Sequence, residues 1–120
     1  MSNADVFRTY LERFTSGDVA GASELLAEDL RFEGPILQAN SRDEFMAGSA
    51  MAAAMARGRE IHRQWEDGDS VCSVYDFKVE TPAAAGSIPM AEWSVIRDGR
   101  IVSSRLIFDT AAMAALMPAE

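Results

Sequence analysis

Cysteine, histidine and positive charge are all scarce in this chain. Cys72 is the one cysteine and His62 the one histidine, so an internal disulfide is excluded and a conventional zinc site lacks its ligands. No Asp-x-Asp-x-Asp-Gly loop is present to hold calcium. Lysine and arginine number 11 against 19 acidic residues, a formal charge of −8 with a pI near 4.6. Phosphate backbones and anionic lipid repel such a chain, so neither nucleic acid nor a membrane is an expected partner. Apolar runs fall short of the ~18 residues that span a bilayer. Met1-Ser2-Asn3-Ala4-Asp5 lacks the basic and apolar stretches of an export signal, and a reducing cytoplasm is the expected compartment. Repeats, linkers and low-complexity tracts are absent too. With 120 residues, 48% of them hydrophobic, the expectation is a single domain, 1–120, with a real core.

Val6, Phe7, Tyr10, Leu11 and Phe14 recur at helical spacing, with Asn3 as N-cap and Gly17 after the last turn; they predict an amphipathic helix whose apolar face is buried. Asp18 can cap a second, short helix carrying Val19, Ala22, Leu25 and Leu26, and Leu30 to Glu33 reads as a short strand ended by Gly34-Pro35. Ser41-Arg42-Asp43-Glu44 has the spacing of a capping box. It predicts a third helix from Arg42 to Ala56, bearing Phe45, Met51 and Met55 and closed by Gly58.

From Glu60 onward the period changes to two. Asp67-Gly68 and Asp98-Gly99 mark hairpins and Pro82 to Gly86 a longer connection, which predicts strands near 60–66, 70–80, 88–97 and 100–109. Asp109 is placed to cap a terminal helix from Ala111 to Met117. Helices first and a strand meander second is an α+β order, with the helices on one face of a mostly antiparallel sheet.

Particular residues carry a family likeness. They are Tyr10 seven residues before Gly17-Asp18, Leu26-Ala27-Glu28-Asp29 running into Phe32-Glu33-Gly34-Pro35, Ile88-Pro89-Met90-Ala91, and Asp98-Gly99-Arg100-Ile101 leading to Arg105-Leu106-Ile107-Phe108-Asp109. In that order they make the chain resemble, over nearly its whole length, the nuclear transport factor 2-like superfamily, which includes ketosteroid isomerases, limonene epoxide hydrolases and SnoaL-like polyketide cyclases. The resemblance implies a cone, in which three N-terminal helices pack on a strongly curved, mixed, mostly antiparallel sheet around a small-molecule pocket. It also implies no cofactor and, commonly, a homodimer. It implies no single activity, because the fold hosts unrelated chemistries.

In ketosteroid isomerases a first-helix tyrosine and a protonated acid stabilise an enolate while an aspartate before a proline shuttles the proton. Tyr10 matches that tyrosine and Glu92 the second acid, whereas Gly34 stands where the shuttling aspartate would be. The arginine and aspartate of limonene epoxide hydrolases match Val74 and Asp76. Their last-strand aspartate, which SnoaL-like cyclases use as an acid, matches Leu106. An isobutyl group transfers no proton, so neither chemistry is expected in its known form.

Strand alternation supplies the pocket. With Asp76 facing the cavity, Cys72, Val74 and Lys78 share its face while Tyr75, Phe77 and Val79 lie on the reverse. The same reasoning puts Met90, Glu92, Ser94 and Ile96, then Ser104, Leu106 and Phe108, inside, with Trp93, Val95, Arg105 and Ile107 outside. A sheet with aromatics on its second face packs that face too. The expected partner is a second copy of the chain, met through Tyr75, Phe77, Trp93, Val95 and Ile107.

The cavity is then expected to hold Tyr10, Asp76, Glu92 and Lys78 among Phe7, Phe14, Phe45, Met51 and Met55, with Val74, Met90, Ser94, Leu106 and Phe108 completing the wall. Two acids crowded in a low dielectric raise at least one pKa toward neutrality, which suits general acid or base work. The expected ligand is a small apolar molecule bearing a carbonyl or epoxide. Glu92 or Asp76 would be the base and Tyr10 the hydrogen-bond donor in cofactor-free isomerase, cyclase or hydrolase chemistry. The alternative is a non-catalytic dimeric ligand-binding or interaction module. Each residue also has a plain structural reading: Tyr10 as a core aromatic, Asp76 paired with Lys78 or Arg105, Glu92 in an inter-strand salt bridge. His62 and Glu33 are expected in solvent and Cys72 as a small hydrophobe.

Overall fold

Helix α1 (Asn3–Thr15) is capped by Ser2 and not by Asn3. The Ser2 hydroxyl accepts from the Asp5 N–H at 3.1 Å, and the Asp5 carboxylate accepts from the Ser2 N–H. The computed structural model describes residues 1–117. Val6, Phe7, Tyr10, Leu11 and Phe14 are all buried on one side of α1, the face that the helical spacing predicts. Asp18 caps α2 (Val19–Ser23) by accepting from the Gly21 N–H at 3.0 Å. Leu26, expected on that helix, instead opens β1 (Leu26–Glu33), because it pairs in parallel with Ile101 and tertiary pairing outweighs a weak helical propensity.

After the short β2 (Gln38–Ala39), the expected third helix is two helices, α3 (Arg42–Gly48) and α4 (Ala50–Met55), broken at Ser49. Gly48 sits at the break, where a Cβ would lie 2.5 Å from a Leu37 methyl. Next come β3 (Ala56–Asp67), β4 (Ser70–Glu80), β5 (Ala85–Arg97), β6 (Arg100–Phe108) and α5 (Thr110–Ala114), whose first turn is capped by Asp109. Asp98 and Gly99 both have positive φ, 52° and 75°, as a two-residue type I′ hairpin turn requires. No helix among the described residues is long and apolar enough to cross a membrane.

The strands form one six-stranded sheet in the order β2-β1-β6-β5-β4-β3, parallel between β1 and β6 and antiparallel elsewhere. Register shifts put extra residues into β3, between Ala56 and Arg59 and between Ile61 and Arg63, and into β6, where Val102 is skipped opposite Val95 and Ile96. An extra residue in one strand bends it and increases its twist, and the helices pack on the inner face of the bent sheet. Phe7, Leu26, Leu30, Ile88, Ile96 and Ile101 are fully buried there.

On β5 and β6 the inward residues are the expected ones: Met90 opposes Phe108, Glu92 opposes Leu106, and Ser94 opposes Ser104. On β4 the parity is the reverse of expectation. Val71, Ser73, Tyr75, Phe77 and Val79 are buried, while Cys72, Val74, Asp76 and Lys78 face outward. Directly opposed residues of an antiparallel pair share a face. Tyr75 lies opposite Met90 and Phe77 opposite Ile88, so the inward set of β5 imposes the odd-numbered set on β4. Tyr75 and Phe77 therefore do not belong to the outer face. That face exposes Trp93, at 51%, and Ile107, at 61%, with Val95 half-buried beside them.

Candidate functional site

Between the inner face of the sheet and the helices lies a cavity of about 140 Å³, an order of magnitude more than one water molecule needs. Tyr10 and Phe14 line it from α1, Phe45 and Ser49 from α3 and the break that follows, and Met113 from α5. The sheet contributes Phe32, Tyr75, Phe77, Met90, Glu92, Leu106 and Phe108, and the Gly34–Leu37 loop closes one side. The walls are almost wholly apolar, with four polar side chains among the lining: Tyr10, Ser49, Glu92 and Tyr75, whose hydroxyl is engaged with Glu92.

Glu92 is 5% exposed. Its Oε1 accepts from the Tyr75 hydroxyl at 2.7 Å and its Oε2 from the Ser104 hydroxyl at 2.6 Å. Ser104 spends its one hydrogen there, so in the Ser94–Ser104 contact at 2.8 Å it is Ser94 that donates. A chain of hydroxyls thus ends on the acid from two neighbouring strands. Burial pushes the Glu92 carboxyl above its ordinary value of 4.5, and the Ser104 and Tyr75 hydrogen bonds pull it partly back. No cation pairs with it among the described residues, so the inter-strand salt bridge is absent.

Tyr10 packs its ring against Phe7 and Phe14, at centroid separations of 5.9 and 6.0 Å. Burial, and secondarily the Glu92 charge, push its phenol well above 10, so it stays protonated and acts only as a neutral donor or acceptor. No hydrogen bond to its hydroxyl is found among the described residues.

Of the side chains expected at the cavity, Tyr10, Phe14, Phe45, Met90, Glu92, Leu106 and Phe108 line it. The others do not. Asp76, Val74 and Lys78 lie on the outer face through the reversed parity of β4. Met51 is 70% exposed because the break at Ser49 turns α4, and Met55 packs on the core outside the cavity. Phe7 is fully buried behind the wall, against Tyr75, and Ser94 is buried in its bond with Ser104. Alternation misplaced Tyr75 and Phe77. Ser49 carried no sequence signal beyond lying inside a predicted helix.

Asp76 pairs with neither Lys78 nor Arg105. Its Oδ2 is 3.2 Å from His62 Nε2, while His62 Nδ1 is 3.7 Å from Glu60. Arg105 instead bonds Glu33 at 2.6 Å. Glu60, His62 and Asp76 offer ligand atoms within 4.8 Å of one another, the one grouping among the described residues that could hold a metal ion. It lies on the face of the sheet away from Glu92.

The SnoaL-like domain family model matches residues 7–104. No protein of curated function matches in sequence. Among proteins of known structure, an NTF2-like protein of unknown function from Burkholderia pseudomallei superposes with a TM-score of 0.84 at 22% identity, covering 99% of this chain and 100% of that one. IdmH of Streptomyces antibioticus, provisionally assigned as a polyketide cyclase, has a TM-score of 0.83 at 20% identity, covering 97% and 98%. TerC, crystallised with polyporic acid, has a TM-score of 0.79 at 18% identity, covering 95% and 96%. At these identities the structural likeness shows the fold, that of the nuclear transport factor 2-like proteins, and the family match covers most of the chain: it belongs to the SnoaL-like domain family.

Proposed function

We propose that the cavity binds a small, largely apolar carbonyl compound and that Glu92 moves a proton on it while Tyr10 hydrogen-bonds to the oxygen where charge develops. One observation carries this reading: Glu92 is the one carboxylic acid among the cavity-lining residues, held in an apolar enclosure that raises its pKa. A single carboxyl can take a proton from one carbon and return it to another. Opening an epoxide with water needs a base and a separate acid together, and Tyr10, with its phenol pushed upward, is a poor acid. The site therefore favours isomerase or cyclase chemistry over hydrolysis. The provisional assignment of IdmH as a polyketide cyclase agrees with that preference.

Proton NMR in D2O tests the proposal. The protein should accelerate deuterium exchange at the α-carbon of small cyclic enones, and Glu92→Gln should return the rate to background. Equal exchange by both proteins would overturn the catalytic reading.

A non-catalytic ligand-binding module is the second reading. It is favoured by the engagement of both Glu92 oxygens with Tyr75 and Ser104, and by Gly34 and Leu106, which cannot transfer protons, at the positions that the resemblance to ketosteroid isomerases and SnoaL-like cyclases matches to acids. In either case we propose that two copies associate through the outer face around Trp93, Val95 and Ile107.

A further inference from the structure

Four helices take a side-chain cap at their first turn: Ser2 on α1, Asp18 on α2, Ser41 on α3 and Asp109 on α5. Helix α4 does not, although its N-cap, Ser49, is a favoured residue type. The backbone explains why. Ser2 and Ser41 are extended, with ψ of 165° and 161°. Ser49 has φ −98° and ψ 5° because it also closes α3, its N–H donating to the Phe45 carbonyl at 2.8 Å. Its hydroxyl makes no hydrogen bond to the α4 amides.

That hydroxyl is the one buried side-chain polar atom without a hydrogen-bond partner among the described residues, on a residue only 6% exposed that lines the cavity. Buried polar groups are nearly always satisfied, and leaving one unpaired is unfavourable. The Tyr10 phenol is the cavity's other uncommitted hydroxyl. A row of rings separates the two: Tyr10 to Phe14 at 6.0 Å and Phe14 to Phe45 at 6.3 Å, with Ser49 one helical turn beyond Phe45. Aromatic rings thus stand between two lining residues, Tyr10 and Ser49, whose hydroxyls have no partner among the described residues.

We infer that Ser49 contacts the ligand and sets its specificity, and that the ligand is a compact ring compound carrying oxygen functions at two separated points, one meeting Tyr10 and Glu92 and the other meeting Ser49. A hydroxyl both donates and accepts, so the second function is a carbonyl, hydroxyl or ether oxygen. The inference rests on the ligand-binding reading of this cavity, not on catalysis.

Two matched probes test it, 2-naphthol with one oxygen and 2,6-dihydroxynaphthalene with one at each end, titrated by fluorescence into wild type and Ser49→Ala. Wild type should bind the diol about tenfold more tightly than 2-naphthol, the worth of one hydrogen bond to a buried hydroxyl. Ser49→Ala should bind both alike. Its ligand-free melting temperature should equal or exceed that of wild type, since no hydrogen bond is lost. A diol preference surviving in Ser49→Ala, equal weakening of both probes, or a lowered melting temperature would each overturn the inference. Failure of wild type to bind either probe overturns the cavity reading and this inference with it. Binding of both probes without a Ser49-dependent preference overturns only the inference.

Discussion

Tyr75 donates its phenol hydrogen to Glu92 Oε1 at 2.7 Å although the two are not partners in the ladder, where Ser73 opposes Glu92 and Tyr75 opposes Met90. The contact is diagonal across β4 and β5, a separation of roughly 7–8 Å between backbones that only a long side chain crosses. Ser104 reaches the same carboxyl from β6 on the other side. The acid on β5 is therefore oriented by both neighbouring strands, and its position is a property of the sheet.

Removing either donor should drive the Glu92 carboxyl further upward, because each hydrogen bond favours its charged form. Ser104→Ala should move it more than Tyr75→Phe, and each should cost about 1–2 kcal/mol in unfolding free energy. Carbon-13 NMR of the labelled carboxyl reads the titration midpoint directly. A midpoint that stays or falls in both variants contradicts the network.

The raised Glu92 pKa makes stability depend on pH with a definite sign. Between its ordinary value of 4.5 and its higher folded value, the native state holds a proton that the unfolded chain has lost, so wild-type stability from this group is full below 4.5 and declines as pH rises. Glu92→Gln lacks that decline. Urea unfolding across pH should show the variant gaining on wild type as pH climbs through the folded pKa, then a constant difference above it. A flat difference from acid to neutral pH would mean that burial does not perturb the carboxyl.

Tyr10→Phe removes a hydroxyl with no partner among the described residues and keeps a ring that packs on Phe7 and Phe14. Unfolding free energy should change by less than about 1 kcal/mol, while affinity for 2-naphthol should drop several-fold. A stability loss above about 2 kcal/mol would reveal a structural bond at that hydroxyl and remove Tyr10 from the site.

The outer face offers a separate check. Ile107→Lys places a charge on an exposed, outward side chain. Sedimentation velocity should show wild type at the mass of two chains and the variant at one, with unchanged circular dichroism. Wild type sedimenting as a single chain would end the dimer proposal. Asp76→Asn, on the same face, should leave probe binding untouched.

Much of the architecture could be read from residues. The α1 stripe, the Asp67-Gly68 and Asp98-Gly99 turns and the inward sets of β5 and β6 were legible because each is a local pattern with charge or glycine on the side that must be wet or tightly turned. The break at Ser49 was not, since nothing local marks it; what sits there is a tertiary contact, Leu37 packed so closely on Gly48 that a Cβ has no room.

Composition and periodicity dictated an acidic α+β domain with a helical lid over a strand meander, and they placed Tyr10 and Glu92 on surfaces that face inward. Which side of β4 meets them was beyond that reading, because Cys72 and Val74 on one face and Tyr75 and Phe77 on the other are both apolar enough to be buried. A strand's alternation defines two faces without ranking them. Pairing Tyr75 with Met90 ranked them, and in doing so moved one carboxylate out of the cavity and brought in the phenol that holds the other.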